Sequence, residues 1–117
     1  PTIIFDSAHN ADGLAALRSE LKHRSYRQLH FVYGTVGDED ISANLSLLPK
    51  NAVYYFCKAD LPRALDAASL QQQATAYGLN GQTYASVKKA FKAAKKAAGK
   101  KDLVLVAGSV FVVAEVL

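Results

Sequence analysis

Short β-prone runs alternate with stretches of helical spacing along the whole chain, and this alternation constrains the fold more than any other feature. Thr2–Phe5, Gln28–Tyr33, Ala52–Cys57, Gln82–Tyr84 and Leu103–Ala107 read as strands. Helical spacing fills the gaps: Ala11 to about His23, Ile41 to Leu48, a segment from Asp66 to Tyr77, and a lysine-rich segment from Ser86 to near Gly99. Asn10, Asp66 and Ser86 suit the caps, since a short side-chain oxygen can accept a free N–H of the first turn. Pro49 and Pro62 stop or block helix, and Gly78 is placed to end the third one. Ala52–Cys57 is apolar without a break, which suits burial on both faces. Such alternation calls for an α/β fold: one domain over residues 1–117, a three-layer, mostly parallel, Rossmann-like sheet with right-handed crossovers and helices on both faces. The tail stays open on pattern alone. Val110–Val113 is β-branched enough for a strand, yet it follows Ser109, a strong cap.

Composition narrows the class. Half of the 117 residues are hydrophobic, enough for one core and against disorder. No apolar run reaches the ~18 residues of a membrane span, and no export leader is visible. Cys57 is the single cysteine and lies in an apolar strand, so a buried, inert thiol in a reducing compartment is expected. The chain begins at Pro1 and has no methionine, so it is expected to be part of a longer protein. The net charge is +4, and half of the 14 basic residues lie between Lys88 and Lys101. Val87, Ala90, Phe91, Ala94 and Ala98 fall on one face of that helix, with lysines opposite. That is the pattern of a solvated surface helix. A nucleic-acid stripe would share the lysines, but no aromatics interleave with them for stacking.

Parallel strands share one C-terminal edge, and the polar residues collect there. Asp6, His9 and Asn10 follow the first strand; Gly34, Asp38 and Asp40 the second; Lys58 and Asp60 the third; Ser109 the last. Ligands of open α/β sheets sit at that edge. Spacing leaves two readings of Asp6-Ser7-Ala8-His9-Asn10: a ligand-facing turn at a helix start, or a turn capped by Asp6 beside a solvated His9. Asp38 and Asp40 read as loop-capping acids. His23 and His30 read as surface or strand residues, and no histidine is spaced with Cys57 as a metal ligand. No G-x-x-x-x-G-K-[ST], G-x-G-x-x-G or G-x-S-x-G motif occurs, so the chain alone has no phosphate cradle, dinucleotide turn or nucleophile elbow.

The ordered motifs resemble a known family. Phe5-Asp6-Ser7-Ala8-His9-Asn10 with Gly13 is similar to the D-x-A-H-N-P-x-G segment of folylpolyglutamate synthases, which include bifunctional dihydrofolate synthases and belong to the Mur ligase superfamily. Val32-Tyr33-Gly34 with Asp38-Glu39-Asp40 resembles their strand-end glycine and D-K-D loop. Pro62-Arg63-Ala64 resembles P-R-A, and Gly108-Ser109 through Glu115-Val116 resembles the closing G-S-x-x-x-V-x-E-V. Ala11 replaces a proline that only preorganises a helix start. Glu39 replaces the D-K-D lysine, so that lysine's role does not carry over.

The resemblance implies the C-terminal domain of such a ligase. It joins L-glutamate to the γ-carboxylate of a folate through an acyl phosphate, using ATP and Mg²⁺ held mainly by a separate P-loop domain. It favours the helix at Ser109. It assigns Asp6, with His9 and Asn10, to the nucleotide, and His9, Ser109 and Arg63 to glutamate. No residue of this chain is given a catalytic step or a metal, and the domain alone is expected to be inactive. The implied partners are the P-loop domain, ATP, glutamate and folate, without nucleic acid or membrane, in a cytoplasmic monomer. Two other readings stay open: a different Mur-type amino-acid ligase, and a non-enzymatic basic α/β module that binds nucleic acid through Lys88–Lys101.

Overall fold

In a computed structural model, residues 1–37 and 40–117 are described. Strands β1 (Thr2–Phe5), β2 (Leu29–Tyr33), β3 (Ala52–Phe56), β4 (Gly81–Thr83) and β5 (Leu103–Ala107) alternate with helices α1 (Ala11–Lys22), α2 (Ser42–Leu47), α3 (Ala67–Thr75), α4 (Val87–Ala97) and α5 (Val110–Ala114). The sheet order is β1-β5-β2-β3-β4. Every pairing is parallel, with Thr2 opposite Leu103, Leu29 opposite both Leu103 and Ala52, and Tyr54 opposite Gly81.

Strand alternation builds the layers. Leu29, Phe31 and Tyr33 of β2, with Leu103 and Leu105 of β5, bury against Leu14, Leu17 and Leu21 of α1, Leu45 of α2 and Leu70 of α3. Val32, Val104 and Val106 point the other way, onto Val87, Ala90, Phe91 and Ala94 of α4 and Val112 and Val113 of α5. Helices therefore cover both faces, as expected, with α1–α3 on one and α4 and α5 on the other.

The caps act as read. Asn10 Oδ1 accepts from Gly13 N–H at 2.9 Å, Asp66 Oδ2 from Ser69 at 3.1 Å, and Ser86 Oγ from Lys89 at 3.1 Å. Replacing Asn10 with Ala removes the α1 cap and is expected to cost about 1 kcal/mol. Chemical denaturation should show it as a lower midpoint with an unchanged slope.

Two expectations are corrected. The fourth strand starts and ends one residue earlier than expected, because Gly81 belongs to the ladder opposite Tyr54 rather than to the turn. Val53 of β3 is 39% exposed, so the strand's burial on both faces starts only at Tyr54, where β4 begins alongside. His30 is a strand residue, as read, and is buried with a polar network of its own. Asp102 Oδ2, at the entry to β5, accepts from Gly99 N–H at 2.8 Å and from His30 Nε2 at 2.9 Å, and His30 Nδ1 lies 2.8 Å from the Tyr55 hydroxyl. Beside an ionised carboxylate Nε2 carries the proton, so a neutral ring takes the tyrosine proton at Nδ1.

The Gly99 amide, then His30 and Arg27, hold the Asp102 carboxyl down to about 2 from an ordinary 3.8. A carboxyl depressed in the folded state stabilises fully above its unfolded pKa and loses that contribution as pH falls through the folded one. The difference in melting temperature between wild type and Asp102→Asn should therefore be constant above about pH 4 and shrink between about pH 4 and pH 2. Parallel melts of the two proteins across that window check this.

Candidate functional site

Chain reversal in the sheet makes the site. The chain runs β1, β2, β3, β4 outward and then returns, inserting β5 between β1 and β2. The helices that follow β1 and β2 lie on one face; the helix that follows β5 lies on the other. The segments leaving β5 and its neighbours thus part to opposite sides, which opens a crevice at the C-terminal edge on both flanks of β5. Asp6 to Asn10 occupies one wall and Gly108-Ser109 the other.

Backbone bonds tie the walls together. Asp6 N–H donates to Val106 C=O and Gly108 N–H to Ala8 C=O, both at 3.0 Å. Glycine is required at this crossing. Gly108 has φ +110°, and a Cβ there would lie 2.1 Å from the Gly34 carbonyl oxygen; a Cβ on Gly34 would lie 2.7 Å from the Cys57 carbonyl oxygen. Asn44 of α2 is buried and donates from Nδ2 to His9 C=O at 3.2 Å, fixing the far end of the turn.

The side chains divide by the work they already do. Asp6 Oδ1 accepts from Ala8 N–H at 2.8 Å, so Asp6 does cap its own turn. A carboxylate has about four acceptor positions, so capping leaves others for a ligand. His9 is exposed, with Nδ1 3.2 Å from Ser7 C=O and Nε2 turned to no protein partner among the described residues. Asp6 to Asn10, with Gly13, Ala16, Leu17 and Glu20, line a depression of about 440 Å³ beside α1. Ser109 does not line it. The residue is 5% exposed, and Oγ accepts from Phe111 N–H at 3.0 Å as the α5 cap, leaving its hydroxyl proton to donate.

Arg63 stands apart. It lies beyond β3, two strands from β5, where its C=O accepts from Gly37 N–H at 2.8 Å and Ala64 bridges Val36. Its side chain is exposed and is engaged within the protein. Sequence reasoning missed Asn44 and Glu115 as supports. Glu115 Oε2 accepts from Asp60 N–H at 2.7 Å and so anchors the Lys58–Asp60 turn to the end of α5. A lone polar residue in a short helix and an acid two residues before Leu117 carry no local signal for either contact. Asp40 Oδ1 accepts from Ser42 N–H at 2.9 Å, which lowers its carboxyl pKa and makes it a loop cap, as read. Asp38 and Glu39 lie outside the described residues. Burial, with Glu115 adding to it, pushes the Cys57 thiol up to about 12, so it stays protonated and unreactive at neutral pH.

Comparison with known proteins now decides the family. The family model for the Mur ligase glutamate ligase domain matches residues 1–110. The chain belongs to that family. A probable bifunctional folylpolyglutamate synthase/dihydropteroate synthase of Haloferax volcanii is 38% identical over 118 residues, covering 98% of this chain and 14% of the relative. Escherichia coli FolC in complex with DHPP and ADP superimposes with a TM-score of 0.88 at 32% identity, over 97% of this chain and 27% of FolC. A bifunctional folylpolyglutamate synthase/dihydrofolate synthase with Mn, AMPPNP and L-glutamate bound gives a TM-score of 0.85 at 27% identity, with the same coverage. The chain therefore spans roughly a seventh to a quarter of the length of these proteins. The parallel α/β fold and the position of α5 agree with what the resemblance implied.

The Mur ligase domain's described residues include no cluster of three or more His, Cys, Asp or Glu side chains that could hold a metal ion, and no helix long and apolar enough to cross a membrane.

Proposed function

We propose that this domain is the C-terminal part of an ATP-dependent folylpolyglutamate synthase, which adds L-glutamate to the γ-carboxylate of a folate. One observation carries the reading. The Asp6-Ser7-Ala8-His9-Asn10 turn and the Gly108-Ser109 turn stand at the topological switch point of a domain whose similar structures carry ADP, AMPPNP and L-glutamate. A P-loop domain of the same polypeptide holds the ATP phosphates. The phosphoryl group passes to the folate carboxylate, the glutamate amine attacks the acyl phosphate, and inorganic phosphate leaves.

The domain's own residues bind and position. Asp6 offers the acceptor capacity left over from its turn bond to ribose hydroxyls or an ammonium group, with Asn10 holding the α1 start beneath it. His9 is aimed outward and can donate to a carboxylate or a base edge. The Ser109 hydroxyl proton can serve the glutamate carboxylate, and Arg63 offers charge at a greater distance along the edge. A divalent ion bound with the nucleotide would neutralise phosphate charge. Among the described residues no cluster of three or more His, Cys, Asp or Glu side chains could hold that ion. Closing these turns over the reactants would exclude water from the acyl phosphate.

Turnover tests the reading. The chain alone should release no ADP from ATP. Joined to a polypeptide that carries the P-loop domain, it should release ADP only when a folate and L-glutamate are both present. Activity with a cell-wall precursor in place of the folate would overturn the assignment in favour of a different Mur-type ligase.

A further inference from the structure

A second cavity lies away from the candidate site. It lies at the opposite, N-terminal edge of the sheet, holds about 660 Å³, and is bounded by Thr2, the His23–Arg27 segment after α1 and Lys100–Leu103 before β5. That volume is within the usual range for a small-molecule site. Arg24, Arg27, Lys100 and Lys101 bring four permanent positive charges to it, against the single buried carboxylate of Asp102.

The cations are not used up by neighbours. Lys100 and Lys101 form no ion pair among the described residues. Arg24 meets Glu20 at 3.5 Å across two half-exposed side chains, a contact worth little in water. Arg27 is held differently. Its Nη2 donates to Asp102 Oδ2 at 3.2 Å and its Nε lies 3.1 Å from Oδ1, while Asp102 is itself fixed by Gly99 and His30. The Arg27 side chain nevertheless stays 70% exposed. A buried carboxylate thus pins one edge of the guanidinium and leaves its other donors facing the cavity, which lowers the ordering cost of binding an anion. Helix C-termini also attract cations. Cations placed only for that purpose would not need a guanidinium locked onto a buried Asp–His pair.

We propose that this pocket is a second binding site, for a small polyanion that bears two or more phosphate or carboxylate groups. Such a ligand could be a phosphorylated metabolite or an oligocarboxylate, and the two arms of the test separate them. The full chain is titrated at low salt with sodium tripolyphosphate and, separately, with a γ-linked triglutamate, while binding heat and backbone amide shifts are followed. At least one probe should bind with Kd below about 1 mM, the range of a modest charge-driven contact. The shifts should fall on residues 23–27 and 100–103. Replacing both Lys100→Ala and Lys101→Ala should weaken binding about tenfold, the sum of two partly exposed ion contacts. The control pair Lys89→Ala and Lys92→Ala on α4 should change it less than about twofold. Tighter binding of one probe names the source of the anion. Failure of both probes to bind by about 10 mM overturns the proposal. So does equal weakening by the α4 control, which marks diffuse attraction. Asp6→Ala should leave this binding intact, so the result stands or falls separately from the ligase reading.

Discussion

Gly108→Ala is expected to destabilise the domain by about 3 kcal/mol or more, the range for a side chain forced into a disfavoured backbone region against fixed atoms. Gly108 has φ +110°, and its new Cβ would stand 2.1 Å from the Gly34 carbonyl oxygen and 2.8 Å from the Tyr33 ring. Neither neighbour can step aside. Gly34 runs so near the Cys57 carbonyl that a Cβ on it would lie 2.7 Å away, and Tyr33 is fully buried in the core. For a domain of this size such a loss lowers Tm by more than about 10 °C. Melting followed by circular dichroism reads it, and a change of less than about 1 kcal/mol would show that the β2–β5 crossing relaxes freely. The substitution should also loosen the Gly108 N–H to Ala8 C=O bond, and with it the spacing between Asp6 and Ser109.

Much of this edge was legible in the sequence. Strand runs that break at Asp6, Gly34, Lys58 and Gly108 mark their own C-terminal ends, and in a parallel sheet those ends share one side. Pattern alone left Val110–Val113 open between strand and helix; the resemblance favoured the helix, and Ser109 does supply the acceptor that Phe111 N–H needs. What stayed hidden is long-range. No local pattern tells β5 to insert between β1 and β2, yet that insertion creates the switch point. His30, Tyr55 and Asp102 are each ordinary in sequence and meet only because β2 lies between β3 and β5. Charge clustering directed attention to the α4 lysines. The basic pocket at the N-terminal edge joins the far end of that cluster, Lys100 and Lys101, to Arg24 and Arg27 from a different part of the chain.

The second large effect is expected at Asp6, and two variants separate its two jobs. In the polypeptide that includes the P-loop domain, Asp6→Ala loses both the Ala8 turn bond and the carboxylate. Asp6→Asn keeps an oxygen for Ala8 N–H and removes only the charge and one acceptor. Asp6→Asn should therefore melt close to wild type. It should still lower kcat/KM for ATP by about 10- to 100-fold, the equivalent of one lost hydrogen bond to a charged group. Asp6→Ala should show the same kinetic loss with about 1 kcal/mol of added instability. Unchanged kinetics in Asp6→Asn would return Asp6 to the role of a turn cap alone.

The most direct test of the site is an experimental structure of the polypeptide containing both domains, with an ATP analogue and L-glutamate bound. The nucleotide or the amino acid should lie within hydrogen-bonding distance of Asp6 and His9, with the glutamate carboxylate near Ser109 and the ligands closing the crevice between the ends of β1 and β5. Both ligands bound away from that edge, with Asp6 and Ser109 left facing solvent, would contradict the account.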